Sequence, residues 1–335
     1  MSETSFSPIR CGIVLAAGDG KRVGPFVHRL RGDSLPKQYV NFLGTHSMLE
    51  HTFHRAEKLI SPERLFTVVS KHHLSHSEPR RQLSDRTRRT VVVQPENKET
   101  GPGLMLPLMH LYKRYGDCTV VVFPSDHFIV EEDLFMSHVE MACRTVERDC
   151  SPVVLLGMES DKPEPEYGYV VPGEVDTAPF GVRNVLRFVE KPEARIAQEL
   201  ILAGGLWNTM VMVFKAKSLL ALVRRSAPAL FRLFERIREI IGARDEEQVV
   251  ERVYRRMPAV NLSRGLLEPL ALEQPSFLSV LPVRGVLWSD WGSEQRIVRM
   301  VQRNGSVDQI HQDSAQREED SLVTDEEVRV MGSLE

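Results

Sequence analysis

The sequence predicts an α/β fold built on a doubly wound, mostly parallel sheet. Three observations predict it. Short apolar runs recur without polar alternation, as in strands covered on both faces. Helix-patterned segments fill the gaps between them in βαβ order. The first run opens into a glycine-rich loop, "LAAGDGKRVGPF" (Leu15 to Phe26), of the kind that Rossmann-like folds present to a ligand.

The strand runs are "CGIVLAA" (11–17), "LFTVVS" (65–70), "TVVVQP" (90–95), "TVVVFP" (119–124) and "PVVLLG" (152–157), each bounded by polar residues, Gly or Pro. Between them, "SMLEHTFHRAEKL" (47–59) opens with Ser47 and Glu50 at the spacing of a capping box, and its apolar residues follow helical spacing. "GLMLPLMHLYKRY" (103–115) and "EDLFMSHVEMACRTVER" (132–148) are the next helix candidates. After residue 160 the strand-like runs "YGYVVPG", "NVLRFVEKP", "WNTMVMVFK" and "SFLSVLPV" are spaced more widely, with helical stretches near 193–203, 216–257 and 292–302. The stretch from Ser218 to Tyr254 reads as core or as a subunit contact, so a homodimer is allowed. The expected organisation is one unit over 1–302, with halves at about 1–160 and 161–302, the second elaborating the same sheet. Residues 303–335, polar and mostly acidic, read as a mobile or loosely docked tail. No repeat of a β-helix is visible.

Composition narrows the function classes. With 335 residues, 42% hydrophobic and 27% charged, the chain can bury a sizeable core. A net charge of −3 gives no global attraction to nucleic acid or membranes. Cys11, Cys118, Cys143 and Cys150 are scattered without CxxC pairs, which suits a reducing compartment. No signal-peptide pattern and no apolar run near ~18 residues is visible, so the cytoplasm is the expected location.

The glycine loop is the first candidate site. Glycines let backbone N–H groups converge on an anion, and Lys21 and Arg22 add charge. A Walker A loop requires Ser or Thr after Gly-Lys, where this chain has Arg22. A dinucleotide fingerprint requires its third glycine at the position of Val23, and Pro25 sits badly in the helix that should follow. The remaining pattern is G-x-G-x-R-[LV]-x-P-[LF], met by Gly18, Gly20, Arg22, Val23, Pro25 and Phe26 and followed by "LPKQY" with Pro36 and Lys37. On the loop alone, a basic surface turn remains the competing reading.

With this pattern the chain resembles the sugar-1-phosphate nucleotidyltransferases, the nucleoside-diphosphate-sugar pyrophosphorylases. Within them "QPENKETGP" (94–102) resembles the "ENKxTAP" segment of mannose-1-phosphate guanylyltransferases, and "FPSDHFI" (123–129) resembles "PADHxI". "YGYV" (167–170), "RFVEKPE" (187–193), "GLWNTMVMVF" (205–214) and "WSDWGS" (288–293) resemble "YGYI", "FxEKP", "WNSGMFxF" and "WSDVGSW". The matches run in family order from about residue 11 to 300. The tail lies outside them, and no isomerase-type cupin domain, which some relatives carry, is expected in it.

The resemblance implies a nucleotide-diphospho-sugar transferase fold, GT-A-like, with a nucleotide-binding first half and a sugar-phosphate-binding second half. It implies attack by a sugar-1-phosphate oxygen on the α-phosphorus of a nucleoside triphosphate, releasing pyrophosphate. GTP and mannose 1-phosphate are the expected substrates. That barrier is mainly anion repulsion and in-line positioning, so cations and backbone dipoles are the suitable tools. Arg22 is expected to stabilise charge at the α-phosphate, with Lys37 across the same phosphates. Ala16, Ala17, Gly18, Gly20 and Lys21 are expected around the nucleotide, as are Glu96, Asn97 and Lys98. Asp126 and Asp290 are expected to hold Mg²⁺, a role suited to hard carboxylates. On local grounds an Asp after a strand is as well an N-cap. Lys191 is expected on the sugar phosphate, Glu190 and Asn208 on sugar hydroxyls, and Gly168 to permit close approach. His127 is either a hydrogen-bonding neighbour or a catalytic group.

The chain departs from the guanylyltransferase pattern at "LAAG", at Glu99 and Gly101, at "WNTM" where "WNSG" is usual, and at Ser263 within "NLSRGLLEP", which keeps Glu268. These changes fall on base and sugar pockets. Another NTP and sugar pair, or a nucleotide-sugar-binding regulator without turnover, are therefore the alternative readings. The cluster His72, His73 and His76 in "KHHLSHSEPRRQLSDRTRR" has no local carboxylate or cysteine set for zinc and reads as part of a solvated basic segment without the aromatics that nucleic-acid binding would use.

Overall fold

The computed structural model describes residues 8–149, 153–174, 179–273 and 277–304. Its strands are β1 (Arg10–Leu15), β2 (Leu65–Ser70), β3 (Val91–Gln94), β4 (Thr119–Pro124), β5 (Phe128–Ile129), β6 (Val153–Glu159), β7 (Gly168–Pro172), β8 (Arg183–Glu190), β9 (Leu206–Lys215), β10 (Leu278–Val283) and β11 (Trp288–Ser289). Its helices are α1 (Gly24–Arg31), α2 (Met48–Glu57), α3 (Ser77–Gln82), α4 (Thr100–Tyr115), α5 (Glu132–Arg148), α6 (Ala194–Leu202), α7 (Ala216–Ser226), α8 (Pro228–Ile240), α9 (Glu246–Arg256), α10 (Glu268–Glu273) and α11 (Glu294–Asn304).

The apolar runs became strands because both faces are covered. Along β1, Cys11 and Ile13 face one core and Val14 the other. The first core packs α2 (Phe53), α5 (Phe135, Val139) and α11 (Ile297) on the sheet. The second packs α4 (Leu104, Leu108) and α7–α9 (Leu219, Phe234, Tyr254), which assigns the Ser218–Tyr254 stretch to core. The capping box at α2 is formed: Ser47 Oγ accepts from Glu50 N at 3.1 Å, and Glu50 Oε2 accepts from Ser47 N at 2.7 Å.

Nine strands form one sheet in the order β3-β2-β1-β4-β9-β6-β10-β8-β7. The α/β reading holds, but the parallel character is confined to two blocks. β1–β4 form one, and β6 with β10 forms the other. β9 lies antiparallel between β4 and β6, so the α5 crossover skips a strand position, and β8 and β7 continue antiparallel. One sheet therefore runs through both halves of 1–302. Of the expected tail, residues 305–335 lie outside the described residues, as does Cys150, while α11 extends to Asn304.

The order reverses at β1. Beyond it lie β2 and β3 on one side and β4 on the other, which makes the gap between the carboxyl ends of β1 and β4 a topological switch point. Leu15 and Pro124 are register partners there, and Ser125 binds the Leu15 carbonyl through N (3.1 Å) and Oγ (2.7 Å). The glycine loop and Asp126 are thereby fixed side by side. β9 runs the other way and brings Asn208 opposite Gly168, which in turn pairs with Glu190.

Candidate active site

A cavity of about 330 Å³ opens at this switch point. Its wall includes Ala17, Gly18 and Arg22 from the glycine loop, Asp126 and His127 after β4, Gly168, Glu190, Lys191 and Asn208 from β7–β9, and Asp290 after β11. Asn97 is the one member of the Glu96–Lys98 segment in that wall.

Several expected contacts stand elsewhere. Ala16 is buried beneath the loop, where its carbonyl accepts Gln38 Nε2 at 2.9 Å. Gly20 has φ of 61° and packs on Lys37. Lys21 is exposed, 3.6 Å from Asp19. Glu96 and Lys98 pair with each other at 2.9 Å outside the cavity wall.

Lys37, expected across the phosphates, is buried behind the wall. Its Nζ lies 2.9 Å from Asp126 Oδ2, 2.8 Å from the Asp290 carbonyl and 3.2 Å from the Trp291 carbonyl. An ammonium has three N–H donors, so these acceptors use all of them. Lys37 thus ties the two candidate metal-binding segments together. Burial pushes the Asp126 carboxyl up, but the Lys37 ammonium and His127 outweigh it, and Asp126 stays below its ordinary range. Burial lowers His127 to about 4, so it is neutral at pH 7, with its ring edge-on to Trp288.

Arg22 is half exposed and is held at the cavity mouth by Glu166, 2.7 Å away, with Asp290 Oδ2 at 3.9 Å. Asp290 Oδ1 accepts from Tyr167 Oη at 3.1 Å and Gly292 N at 2.9 Å, with Arg296 Nε at 3.2 Å. Arg296 also pairs with Glu166 and Glu164. A Cβ on Gly292 would stand 2.5 Å from Asp290 Oδ2 and 2.8 Å from Arg22 Nη2, so any side chain there would push these charged tips aside. Glu166 and Arg296 were not singled out from sequence. Their signal was position, immediately before "YGYV" and one helical turn beyond "WSDWGS".

Asp126 and Asp290 fit a hard divalent cation. Both reach the cavity, where Asp126 Oδ2 lies 2.9 Å from Lys37 Nζ and Asp290 Oδ2 lies 3.9 Å from Arg22 Nη2.

In the same cavity, Gly168 leaves room for its partners: a Cβ there would stand 2.7 Å from Glu190 Oε2 and 3.4 Å from Asn208 Cβ. Glu190 N donates to Glu268 Oε1 at 2.7 Å, and burial raises the Glu190 carboxyl. The departures from the family pattern have local causes. Met210, where "WNSG" has glycine, has φ of 58°, supported by its N–H donating to Asn208 Oδ1 at 3.1 Å. Its sulfur accepts from Ser263 Oγ at 3.4 Å, and the residue lines the cavity. Gly101 faces the Val260 carbonyl, which a Cβ would meet at 2.7 Å. Lys191 and Glu99 also line the cavity at positive φ, 52° and 70°. At its inner end Gln94, buried and missed from sequence, turns a carbonyl oxygen without a hydrogen-bond partner toward the start of α4.

Comparison with known proteins places the chain among relatives. The chain is 27% identical over 307 residues to the xanthan biosynthesis protein XanB of Xanthomonas campestris pv. campestris, covering 91% of this chain and 62% of that protein. It is 28% identical over 302 residues to the mannose-1-phosphate guanylyltransferase ManC of Salmonella typhimurium, covering 88% and 59%. The chain thus spans about three fifths of the length of these curated relatives. A solved mannose-1-phosphate geranyltransferase from Thermus thermophilus superposes with a TM-score of 0.71 at 26% identity, covering 86% of this chain and 79% of that one. Residues 11–303 match the profile of the family described as Nucleotidyl transferase, and the chain belongs to that family.

Proposed function

We propose that the protein transfers a nucleotidyl group from GTP to mannose 1-phosphate, releasing pyrophosphate and forming GDP-mannose. The observation that carries the reading is one cavity that gathers Gly18, Arg22, Asp126 and Asp290 together with Gly168, Glu190, Lys191 and Asn208. The first set suits a triphosphate, and the second a sugar bearing one phosphate. Guanine and mannose are supported by the guanylyltransferase ManC and by Gln94, whose buried carbonyl is an acceptor for purine N–H groups.

In this reading the α-phosphate lies against Arg22 and the N–H groups around Gly18. Arg22 exchanges Glu166 for phosphate oxygens, since its planar fork serves both. Mg²⁺ held by Asp126 and Asp290 would neutralise phosphate charge. Lys37 acts from behind, keeping those carboxylate segments in place. Lys191 binds the sugar phosphate and aims its oxygen at the α-phosphorus, while Glu190 and Asn208 fix the sugar. The attacking oxygen is already ionised, so the chemistry requires no base from neutral His127.

We assign the protein to the cytoplasm; among the described residues no helix is long and apolar enough to cross a membrane. A panel of triphosphates and sugar 1-phosphates with Mg²⁺, read by pyrophosphate release, tests the assignment. Highest kcat/KM with GTP and mannose 1-phosphate supports it, and preference for another pair replaces those substrates. Tight nucleotide-sugar binding without turnover on any pair would favour a regulator.

A further inference from the structure

The histidines that sequence alone placed on a solvated segment meet a carboxylate from the glycine loop. β1 and β2 are parallel neighbours with Leu15 beside Val68, so the loops that follow them touch. Asp19, between Gly18 and Gly20, comes from the first. His72 and His73, in the turn Lys71–Ser75, come from the second. Asp19 Oδ1 lies 3.2 Å from His72 Nε2 and 3.7 Å from His73 Nε2, and the three atoms lie within 4.8 Å of one another.

Two of these atoms lack a hydrogen-bond partner. His73 is fully buried, and both its Nε2 and Asp19 Oδ1 are buried without one. The opposite edge of the ring meets Tyr39. Tyr39 Oη donates to the Ala16 carbonyl at 3.2 Å and lies 3.1 Å from His73 Nδ1. With the Tyr39 proton on the Ala16 carbonyl, Nδ1 carries the ring proton and donates to Tyr39, and Nε2 presents a lone pair to the carboxylate oxygen. Two buried acceptors in that arrangement are unfavourable unless a cation lies between them. The other contacts of Asp19, Lys21 Nζ at 3.6 Å and Asn97 Nδ2 at 3.4 Å, fall on Oδ2.

We propose that Asp19, His72 and His73 form a binding site for a transition-metal ion of the Zn²⁺ class. A tetrahedral ion with bonds of about 2.0–2.1 Å holds its ligand atoms roughly 3.3–3.4 Å apart, between the two measured separations. Two neutral imidazoles and one carboxylate select such an ion over Mg²⁺. The hydroxyl behind His73 is the hydrogen-bonding support that metal-bound imidazoles use. His72 is 58% exposed, so the fourth position opens toward solvent. The site is separate from Asp126 and Asp290. An ion here pins the glycine loop to the turn after β2 and, through Asn97, to the cavity wall.

The test uses the full chain, freed of metal by chelation and dialysis, and titrated with Co²⁺ and Zn²⁺ alone. One equivalent of Co²⁺ should bind with the visible absorption of a tetrahedral centre, and Zn²⁺ should displace it. His72→Ala should weaken Zn²⁺ binding by about a hundredfold with an unchanged circular-dichroism spectrum, and Asp19→Asn should do the same. The double variant Asp126→Asn, Asp290→Asn should bind Co²⁺ as the parent does. Absence of stoichiometric binding, unchanged affinity in either single variant, or loss of Co²⁺ binding in the double variant would overturn the site.

Discussion

Lys37 Nζ and Asp126 Oδ2 lie 2.9 Å apart, the lysine side chain 8% exposed and the aspartate side chain 33%. This pair decides how the candidate site is held together. Its cation comes from the segment after the glycine loop and its anion from the end of β4. The remaining lysine donors reach the backbone at Asp290 and Trp291.

Removing one partner strands the other. Lys37→Met should destabilise the fold by about 2–3 kcal/mol, below the ~3–5 kcal/mol of a fully buried pair, because Asp126 keeps some solvent. Adding Asp126→Asn should recover part of that loss. Urea denaturation of the two single variants and the double variant measures the coupling, and strictly additive losses would remove the pair from the account.

Gly168 separates binding of the two substrates. Gly168→Ala places a methyl group 2.7 Å from Glu190 Oε2 and so displaces that carboxylate. The KM for the sugar phosphate should rise about tenfold or more, with the KM for GTP unchanged. Steady-state kinetics with each substrate varied in turn checks this. An equal rise in both would place Glu190 away from the sugar.

Acid stability reports on His73. Burial, with His72 adding to it, lowers His73 from 6.5 to about 4, against a smaller opposing effect of Asp19. The unfolded chain therefore takes up the proton first. The contribution is complete above about pH 6.5 and is lost as pH falls toward 4, at about 1.4 kcal/mol per pH unit and roughly 3 kcal/mol in all. Denaturation of metal-free protein between pH 7 and 4 should show a shallower slope in His73→Gln, which keeps a polar partner for Tyr39. Equal slopes would contradict the buried neutral imidazole.

The strands were legible because burial on both faces writes itself as continuous apolar sequence. "LFTVVS" and "TVVVFP" are β2 and β4 to the residue. The strand directions after β4 were not legible, since a run such as "WNTMVMVFK" reads alike in either direction, and long-range pairing inserts it between β4 and β6. At the site, motif order brought Arg22, Asp126, Gly168, Glu190, Lys191, Asn208 and Asp290 to one cavity wall. The burial of Lys37 was not readable, because "PKQY" does not say which carbonyls will surround the ammonium. Nor was the meeting of Asp19 with His72 and His73, which depends on β1 and β2 being neighbours. Glu96 and Lys98 stand outside that wall and pair with each other at 2.9 Å, an arrangement that sequence order does not announce.

The central claim is nucleotidyl transfer organised by Arg22. The direct measurement is pyrophosphate release from GTP, Mg²⁺ and mannose 1-phosphate by the parent and by Arg22→Ala. The guanidinium is half exposed, so the variant should unfold within about 1 kcal/mol of the parent. Its kcat should fall about 10²–10³-fold, as when a donor to developing charge is lost. A parent that releases pyrophosphate while Arg22→Ala keeps full kcat would contradict the account.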